Sequence, residues 1–400
     1  MKNISIIEPV FFKNFQCTGS ACRDHCCKGW DITLDKPTIK RYLKTSEIEI
    51  RNIATENIVT TKTSFNNWGK MKFSDSGHCA FLDEERLCKI HKVLGAGALS
   101  HTCANYPRVM RQSKYEIRQN LTLSCPEAAK QLLLNKNSML LDQKSVLHAQ
   151  SLDLPDIDQE SRLINIMCSN IMLSSGVNAE EGFYGIALLF LYIEKNKEAE
   201  NNYEQLEAYY SDIIASIQNG QIKNNINELK PDYQLQWALL LRVQVYLAGK
   251  QGVRGWSTLH HYANKLIFIQ SNGAEIEDVA ASMQRLDAAW QNRMLPWLAE
   301  RPHILSNYIQ YRMYNDEFPA KKEISNMANL YLLVSEWFLL KALLSACADL
   351  VENIEEEDIV NIIYSYHAVT KHDQHSDKAF LAEIEKSKVN DDLSLIYLLK

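Results

Sequence analysis

The sequence lacks most of the short patterns that announce a reaction. No G-x-x-x-x-G-K-[ST] loop occurs, which excludes a Walker-type phosphate cradle, and no H-E-x-x-H occurs, which excludes the helix-borne zinc site of many metalloproteases. There is no G-x-S-x-G elbow for a hydrolase nucleophile. Leu94-Gly95-Ala96-Gly97-Ala98 has glycines but not the strand–turn–helix setting of a dinucleotide loop, and reads as a helix or turn feature. No stretch reaches about 18 uninterrupted apolar residues, so no membrane span is expected. The run from Phe183 to Ile193 is too short, and the one from Met327 to Ala348 is broken by Asn329, Glu336 and Lys341. A fixed-period repeat and a low-complexity segment are both absent. So is any Lys/Arg run or motif that would point to nucleic acid. Cysteine is nearly missing from the last 275 residues, which hold only Cys168 and Cys347.

The other eight of the ten cysteines crowd into the first 125 residues. Cys17, Cys22, Cys26 and Cys27 form C-x4-C-x3-C-C. Cys79 and Cys88 follow at C-x8-C, then Cys103 and Cys125. Charge divides along the same line. Residues 1–130 carry 20 Lys and Arg against 13 Asp and Glu, a net +7, and the rest is −13. A chain of 400 residues exceeds one ordinary core, so two domains are expected, at 1–130 and 131–400. A hydrophobic content of 46% with 23% charged residues is that of a soluble globular protein. The basic half either attracts an anion or offsets the negative charge of metal-bound thiolates.

Compartment bears on what the thiols do. Residues Met1 to Pro9 show no long apolar h-region and no small-residue cleavage site. A cytoplasmic protein is expected, and there clustered cysteines mean metal or redox chemistry more than disulfides.

The first part reads as small and irregular, with short strands. Trp30 to Leu34 alternates like a strand. Asp35 is placed to cap a helix with Pro37 in its first turn and Ile39, Tyr42 and Leu43 on one face. Cys79-Ala80-Phe81-Leu82 and Leu87-Cys88-Lys89-Ile90 flank a charged turn, a knuckle presenting both thiols to one point. Pro107 should stop the helix that carries Cys103. Ser124 to Glu127 fits a capping box, which puts Cys125 at a helix N-terminus.

The second part is helical almost throughout. Segments with apolar residues at helical spacing lie near 160–174, 181–197, 202–219, 232–249, 257–270, 276–299, 303–315, 323–350, 357–370 and 376–388. The connectors are short and polar, among them Lys230-Pro231 and Ser271-Asn272-Gly273. The expected fold is mainly α: a cysteine-rich metal-binding N-terminal domain followed by a multi-helix domain.

Eight thiols suffice for two four-cysteine sites. His25, His78, His91 and His101 each lie within three residues of a cysteine, so sites of three cysteines and one histidine are open too. Each histidine also reads as a plain surface residue or a partner of a ligand. Zinc and an iron–sulfur cluster both take thiolates, and softness does not separate them. Cys26 and Cys27, being adjacent, point to different partners or include one non-ligand. Cys168 and Cys347 sit in apolar helical runs and read as core. Trp30 and Phe81 are placed to shield the metal from water.

These residues resemble a known family. Cys17-x4-Cys22-x3-Cys26-Cys27-Lys28-Gly29-Trp30, Cys79-Ala80-Phe81-Leu82, Cys88-Lys89-Ile90-His91, Cys103-Ala104-Asn105-Tyr106-Pro107-Arg108 and Ser124-Cys125-Pro126-Glu127 are similar to the flagellin lysine N-methylases. So is Asn307-Tyr308-Ile309-Gln310-Tyr311-Arg312 followed by Phe318-Pro319. The resemblance implies methyl transfer from S-adenosylmethionine to surface lysines of flagellin. It also implies a [4Fe-4S] cluster, or zinc as the alternative, on the eight N-terminal cysteines. Tyr308, Tyr311 and Arg312 share a helical face and are candidates for holding the sulfonium cofactor by cation–π contact, with ordinary packing as the other reading. The radical pattern C-x3-C-x2-C is not met, because Cys27 follows Cys26 directly, so polar and radical transfer both stay open. Two rivals remain: a non-enzymatic iron or zinc chaperone, and a redox sensor using Cys26 and Cys27.

Overall fold

The computed structural model describes residues 2–30, 32–75, 77–148, 153–196, 203–271, 279–319, 324–371, 376–386 and 394–400. The chain opens on a strand, β1 (Lys2–Pro9), and a single turn of helix, α1 (Val10–Lys13). A small three-stranded sheet follows, with β2 (Thr33–Leu34) and β3 (Ile58–Thr60) both antiparallel to β4 (Gly69–Met71). Between β2 and β3 lie α2 (Lys36–Lys44) and α3 (Ile48–Asn57). Helix α2 starts where the sequence predicts: the Asp35 carboxylate accepts the Thr38 N–H at 2.8 Å, Pro37 fits the first turn, and Ile39 and Tyr42 face inward. The expected strand at Trp30–Leu34 is shorter, and Asp31 lies outside the described residues.

Short helices α4 (Lys89–Leu94) and α5 (His101–Asn105) lead to the hairpin β5 (Arg108–Gln112) and β6 (Glu116–Leu121), then α6 (Pro126–Leu134) and β7 (Leu141–His148). These strands and β1 form one sheet in the order β5-β6-β1-β7. β1 runs parallel to β6, with Ile6 opposite Ile117, and antiparallel to β7, with Ile4 opposite Val146. This sheet has no forerunner in the sequence reading. β1 lies far in the chain from its partners β6 and β7, and β7 is solvent-exposed along its described side chains, so no buried face imprints an alternation on it.

The helical part is α7 (Gln159–Ser174), α8 (Ala179–Lys195), α9 (Tyr203–Gln218), α10 (Gln221–Glu228), α11 (Tyr233–Ala248), α12 (Trp256–Ser271), α13 (Val279–Ala289), α14 (Leu295–Ala299), α15 (His303–Asp316), α16 (Asn326–Leu350), α17 (Glu356–Thr370) and α18 (Ser376–Glu385). The mainly α architecture is as expected. The segment expected at 276–299 is broken: its first residues lie outside the described ones, and Trp290–Met294 forms a π turn between α13 and α14. Pro296 contributes no N–H to the ladder, and the turn before it opens to accommodate that.

Helix α16 is the axis of the body and packs on α8, α12, α13, α17 and α18. It is long and apolar enough to cross a membrane, but 94% of its most apolar window is buried inside the molecule, which is the place of a central core helix. Its buried acid, Glu336, is 1% exposed and is held by Arg312 at 2.6 Å and by Lys371.

Two cores result. The smaller gathers Ile32, Leu34, Ile39, Tyr42, Ile50, Met71, Phe81 and Ile90. The larger takes in the helical body and also Phe11, Leu121, Leu123 and Leu132. Helix α6 packs on α15 and α17, so the larger core reaches back into residues before 130.

Candidate metal centre and cavities

The local chain path puts Cys79 in the smaller core with Cys27, Cys88 and Cys103 against it, Cys125 in the larger core and Cys17 at the surface. Cys17 and Cys22 bracket a 3-10 turn at Gly19–Ala21, and the Gly19 N–H reaches the Cys17 sulfur at 3.4 Å. The Cys79 N–H donates to the Cys27 carbonyl at 2.9 Å, which pins the second cysteine segment to the first. The hairpin of the expected knuckle is present. Leu82 bridges Cys88, and Asp83 and Leu87 close the charged turn through a 2.9 Å backbone bond. Cys88 caps α4, and Cys103 sits in α5 with its N–H on the Ser100 hydroxyl at 3.1 Å. Cys125 caps α6, as the sequence suggests, but the expected capping box does not form. The Ser124 hydroxyl is engaged instead with Tyr106 and Thr122, each at 3.1 Å.

Backbone N–H groups two or three residues on face the sulfurs: Asp24 for Cys22, Phe81 for Cys79, Ile90 and His91 for Cys88, Glu127 and Ala128 for Cys125. Such donors favour thiolate over thiol. Burial works against them. It pushes Cys79 and Cys125 up to about 12 and Cys103 to about 11. Cys26 moves the other way, to about 7, because the Cys27 thiol hydrogen-bonds to it, with Arg254 adding positive charge nearby. Cys26 is central: its charge bears on Cys22, Cys79, Cys88 and Cys103.

All ten cysteines are free thiols. Among the described residues no three Cys, His, Asp or Glu side chains stand as a ready metal cage. The donor set nevertheless suits a soft metal or cluster: buried thiols, N–H groups aimed at sulfur, and a cation alongside. His25 Nδ1 is buried here without a hydrogen bond, while Asp24 Oδ2 and Arg254 Nε lie 3.4 Å apart as an ion pair. Native interiors rarely leave such groups unmet, and an ion or ordered group is a usual reason. Of the four histidines, His25 and His78 are half-buried with rings 5.4 Å apart, while His91 and His101 are exposed. Burial first, and then Arg86, lowers His25 to about 4, so it is a neutral imidazole at pH 7. Phe81 is buried in the smaller core, and Trp30 packs against it while donating to the Cys26 carbonyl at 2.6 Å. Cys168 and Cys347 are buried core residues.

Tyr308, Tyr311 and Arg312 lie on α15 deep in the larger core, away from any opening. Arg312 ties Asp316 at 2.7 Å, Glu336 at 2.6 Å and the Tyr308 hydroxyl at 3.3 Å. Tyr308 and Tyr311 pack on His367. The cavity beside Tyr308 and Arg312 measures about 10 Å³, barely the room for one water. The shared face is real, but it is filled by protein, and a nucleoside has no space there.

Two larger cavities open elsewhere. One of about 300 Å³ lies beside β5, where Glu116 is gripped by Arg118 at 2.8 Å and by both Arg162 nitrogens at 3.0 and 2.9 Å. The other, about 270 Å³, is framed by the starts of α8 and α11, the π turn and α16. Trp290 and Tyr233 line it, with Glu180, Glu181, Asp287 and Lys341. Lys341 is spent on Glu180 at 2.8 Å and lies 5.3 Å over the Trp290 ring. Glu181 is 9% exposed, and among the described residues no hydrogen bond or ion pair reaches its carboxylate. Burial pushes that carboxyl up against the pull of Lys223, with Glu180 adding to the rise. Neither cavity was visible in the sequence, since each is assembled from helix ends distant in the chain.

Comparison with known proteins adds lineage to this geometry. Residues 16–126 match the CxxCxxCC zinc- or iron-chelating domain, and residues 165–398 match the FliB lysine N-methylase C-terminal domain. The lysine-N-methylase of Salmonella typhimurium is 32% identical over the full length of both chains. The flagellar biosynthetic protein FliU of Salmonella muenchen is 46% identical over 153 residues, 38% of this chain and 90% of that one. FliV of the same organism is 26% identical over 177 residues, 43% of this chain and 98% of that one. No solved structure matches. Thiol module and helical body thus match together, end to end, and the chain belongs to the FliB lysine N-methylase family.

Proposed function

We propose that this protein is an S-adenosylmethionine-dependent protein-lysine N-methyltransferase that acts on flagellin in the cytoplasm. The observation that carries the reading is the full-length likeness to a lysine-N-methylase, with neither the thiol module nor the helical body missing from either chain. The flagellar names of the shorter relatives support flagellin as the substrate.

The chemistry sets what the residues must do. A free lysine has a pKa of about 10.4, so its amine is protonated at neutral pH and must be made neutral before it can attack a methyl group. The nitrogen must then approach in line with the carbon–sulfur bond, at roughly 3–3.5 Å. The cavity beside Trp290 and Tyr233 is suited to that preparation. Tyr233 offers an aromatic wall for a cation, and at about 270 Å³ the cavity is near the lower end of ligand sites, roughly 300–1,000 Å³. Glu181 receives the ammonium proton on a carboxylate oxygen, and its raised pKa narrows the gap that the proton must cross. Glu180 stays ionised beside Lys341 and does not compete.

Cys17, Cys22, Cys26, Cys27, Cys79, Cys88, Cys103 and Cys125 are the residues that would hold an iron–sulfur cluster. When bound, such a cluster would supply electron transfer or a fixed, charged scaffold, and polar methyl transfer takes no electron from it. The test is incubation of metal-replete protein with flagellin and methyl-labelled S-adenosylmethionine. Label on flagellin lysines is the expected outcome. Unlabelled flagellin with intact metal would sink the reading and favour a metal chaperone.

A further inference from the structure

Arg254 belongs to the turn between α11 and α12, far along the chain from the thiols, yet it is 1% exposed and buried among them. Its backbone N–H donates to the Gly29 carbonyl at 3.3 Å. Gly29 has φ +67°, and a Cβ there would stand 2.6 Å from the Arg254 nitrogen. The two segments therefore meet backbone to backbone, and only glycine permits it. On the other side, a Cβ at Gly255 would stand 2.8 Å from the Ala368 side chain of α17. The turn is wedged between the module and the body.

The guanidinium spreads over the cysteine segments like a fork. Nη2 donates to the Asp24 carbonyl at 2.6 Å, and Nη1 donates to the Tyr106 hydroxyl at 2.5 Å. That hydroxyl meets the Ser124 hydroxyl at 3.1 Å. Nε lies 3.4 Å from the Asp24 carboxylate but forms no hydrogen bond. Asp24 stands between Cys22 and Cys26, Tyr106 is three residues after Cys103, and Ser124 immediately precedes Cys125. One side chain from the body thus reaches two separate thiol-bearing segments directly and a third through the Tyr106 hydroxyl. Its cation also faces Cys22, Cys26 and Cys125, where bound thiolates would carry negative charge.

We propose that Arg254 is the positioning residue of the thiol centre: it sets the Cys22–Cys27 loop, the Cys103 helix and the start of α6 against one another, and so makes metal retention and docking of the module on the body a single event. The proposal rests on the reading of the cysteines as metal ligands. It is specific to arginine. Lysine brings the charge but not the planar fork that serves two acceptors at once. Beside the Arg254–Asp24 ion pair, the buried His25 Nδ1 has no hydrogen-bond partner.

The test compares wild-type protein with Arg254→Lys, Arg254→Met and Tyr106→Phe, each purified without oxygen as the full chain. Iron, zinc and sulfide per chain, the visible spectrum, the reduction potential of any bound cluster and the rate of metal loss to a chelator are measured. Arg254→Met should lose metal at least tenfold faster, with a shifted spectrum or potential. Arg254→Lys should recover part of the loss, and Tyr106→Phe, which cuts one prong, should lose metal a few-fold faster. Wild-type retention, spectrum and potential in both Arg254→Met and Tyr106→Phe would overturn the proposal while leaving the metal reading intact. If Arg254→Met does not fold, Tyr106→Phe decides alone. A wild-type protein that holds neither iron nor zinc overturns both.

Discussion

In the mechanism proposed above, Glu181 is the residue on which the chemistry turns. Its carboxyl is raised, so on lowering the pH it takes up its proton earlier than an ordinary glutamate and stops accepting one from the amine. The kcat should therefore fall on the acid side through a pKa above 4.5, the usual glutamate value. Glu181→Gln should lower kcat by about 10²–10⁴-fold and abolish that acid limb, with the melting temperature little changed. A pH–rate profile of both proteins measures it, and an unaltered acid limb in the variant would remove Glu181 from the mechanism. Nothing in the sequence singled out this glutamate. It sits in the first turn of α8, where acids are common because they favour the helix dipole. Arg254 was equally silent, being one arginine in a turn between helices. The thiols were legible because cysteine is scarce elsewhere in the chain. Tyr308, Tyr311 and Arg312 were legible as a face, but periodicity cannot tell a face that packs protein from one that packs a ligand.

At the scale of elements, α16 shows how a buried helix can carry charge. Glu336 answers Arg312 from α15 and Lys371 from the end of α17, so three helices share one ionic knot. Removing one member leaves the others charged and dry. Glu336→Gln should destabilise the body by about 3–5 kcal/mol in urea unfolding. Burial pushes the neighbouring Asp316 up, but Arg312 and Lys371 outweigh it and hold its carboxyl below the usual range. Its folded pKa lies under its unfolded one, so its contribution is complete above about pH 4 and drains away as the pH falls further. Urea midpoints taken from pH 7 to pH 3 should show that decline, and the Asp316→Asn variant should show a shallower one. Helices were the readable elements, since each buries a stripe against the body and so repeats at helical spacing. The sheet was not, because its pairing joins Lys2 to His148, and no local pattern announces so distant a partner.

At the scale of the molecule, two cores meet at one joint. The smaller core has few members, with Cys79 among them and Cys27, Cys88 and Cys103 packed against it, whereas the larger one runs through all the long helices. Stripping the metal should accordingly disorder the region between β2 and α5 and spare the body. Far-UV circular dichroism should keep most of its helical signal after chelation, while protease cleavage should concentrate within residues 17–106. Complete loss of helix on metal removal would show instead that the body cannot stand without the module.

The sheet also decides how that module is carried. The chain leaves for it at the end of β1 and comes back at β5, and only β6 separates those two strands. The module is thus not a bead on a single string. It hangs from two neighbouring points of one rigid plate, as a bucket hangs from both ends of its handle. Twisting or swinging away is resisted by the suspension itself, whatever the length of the loops. Whatever the thiols bind, the module that carries them stays tethered to the sheet at both ends.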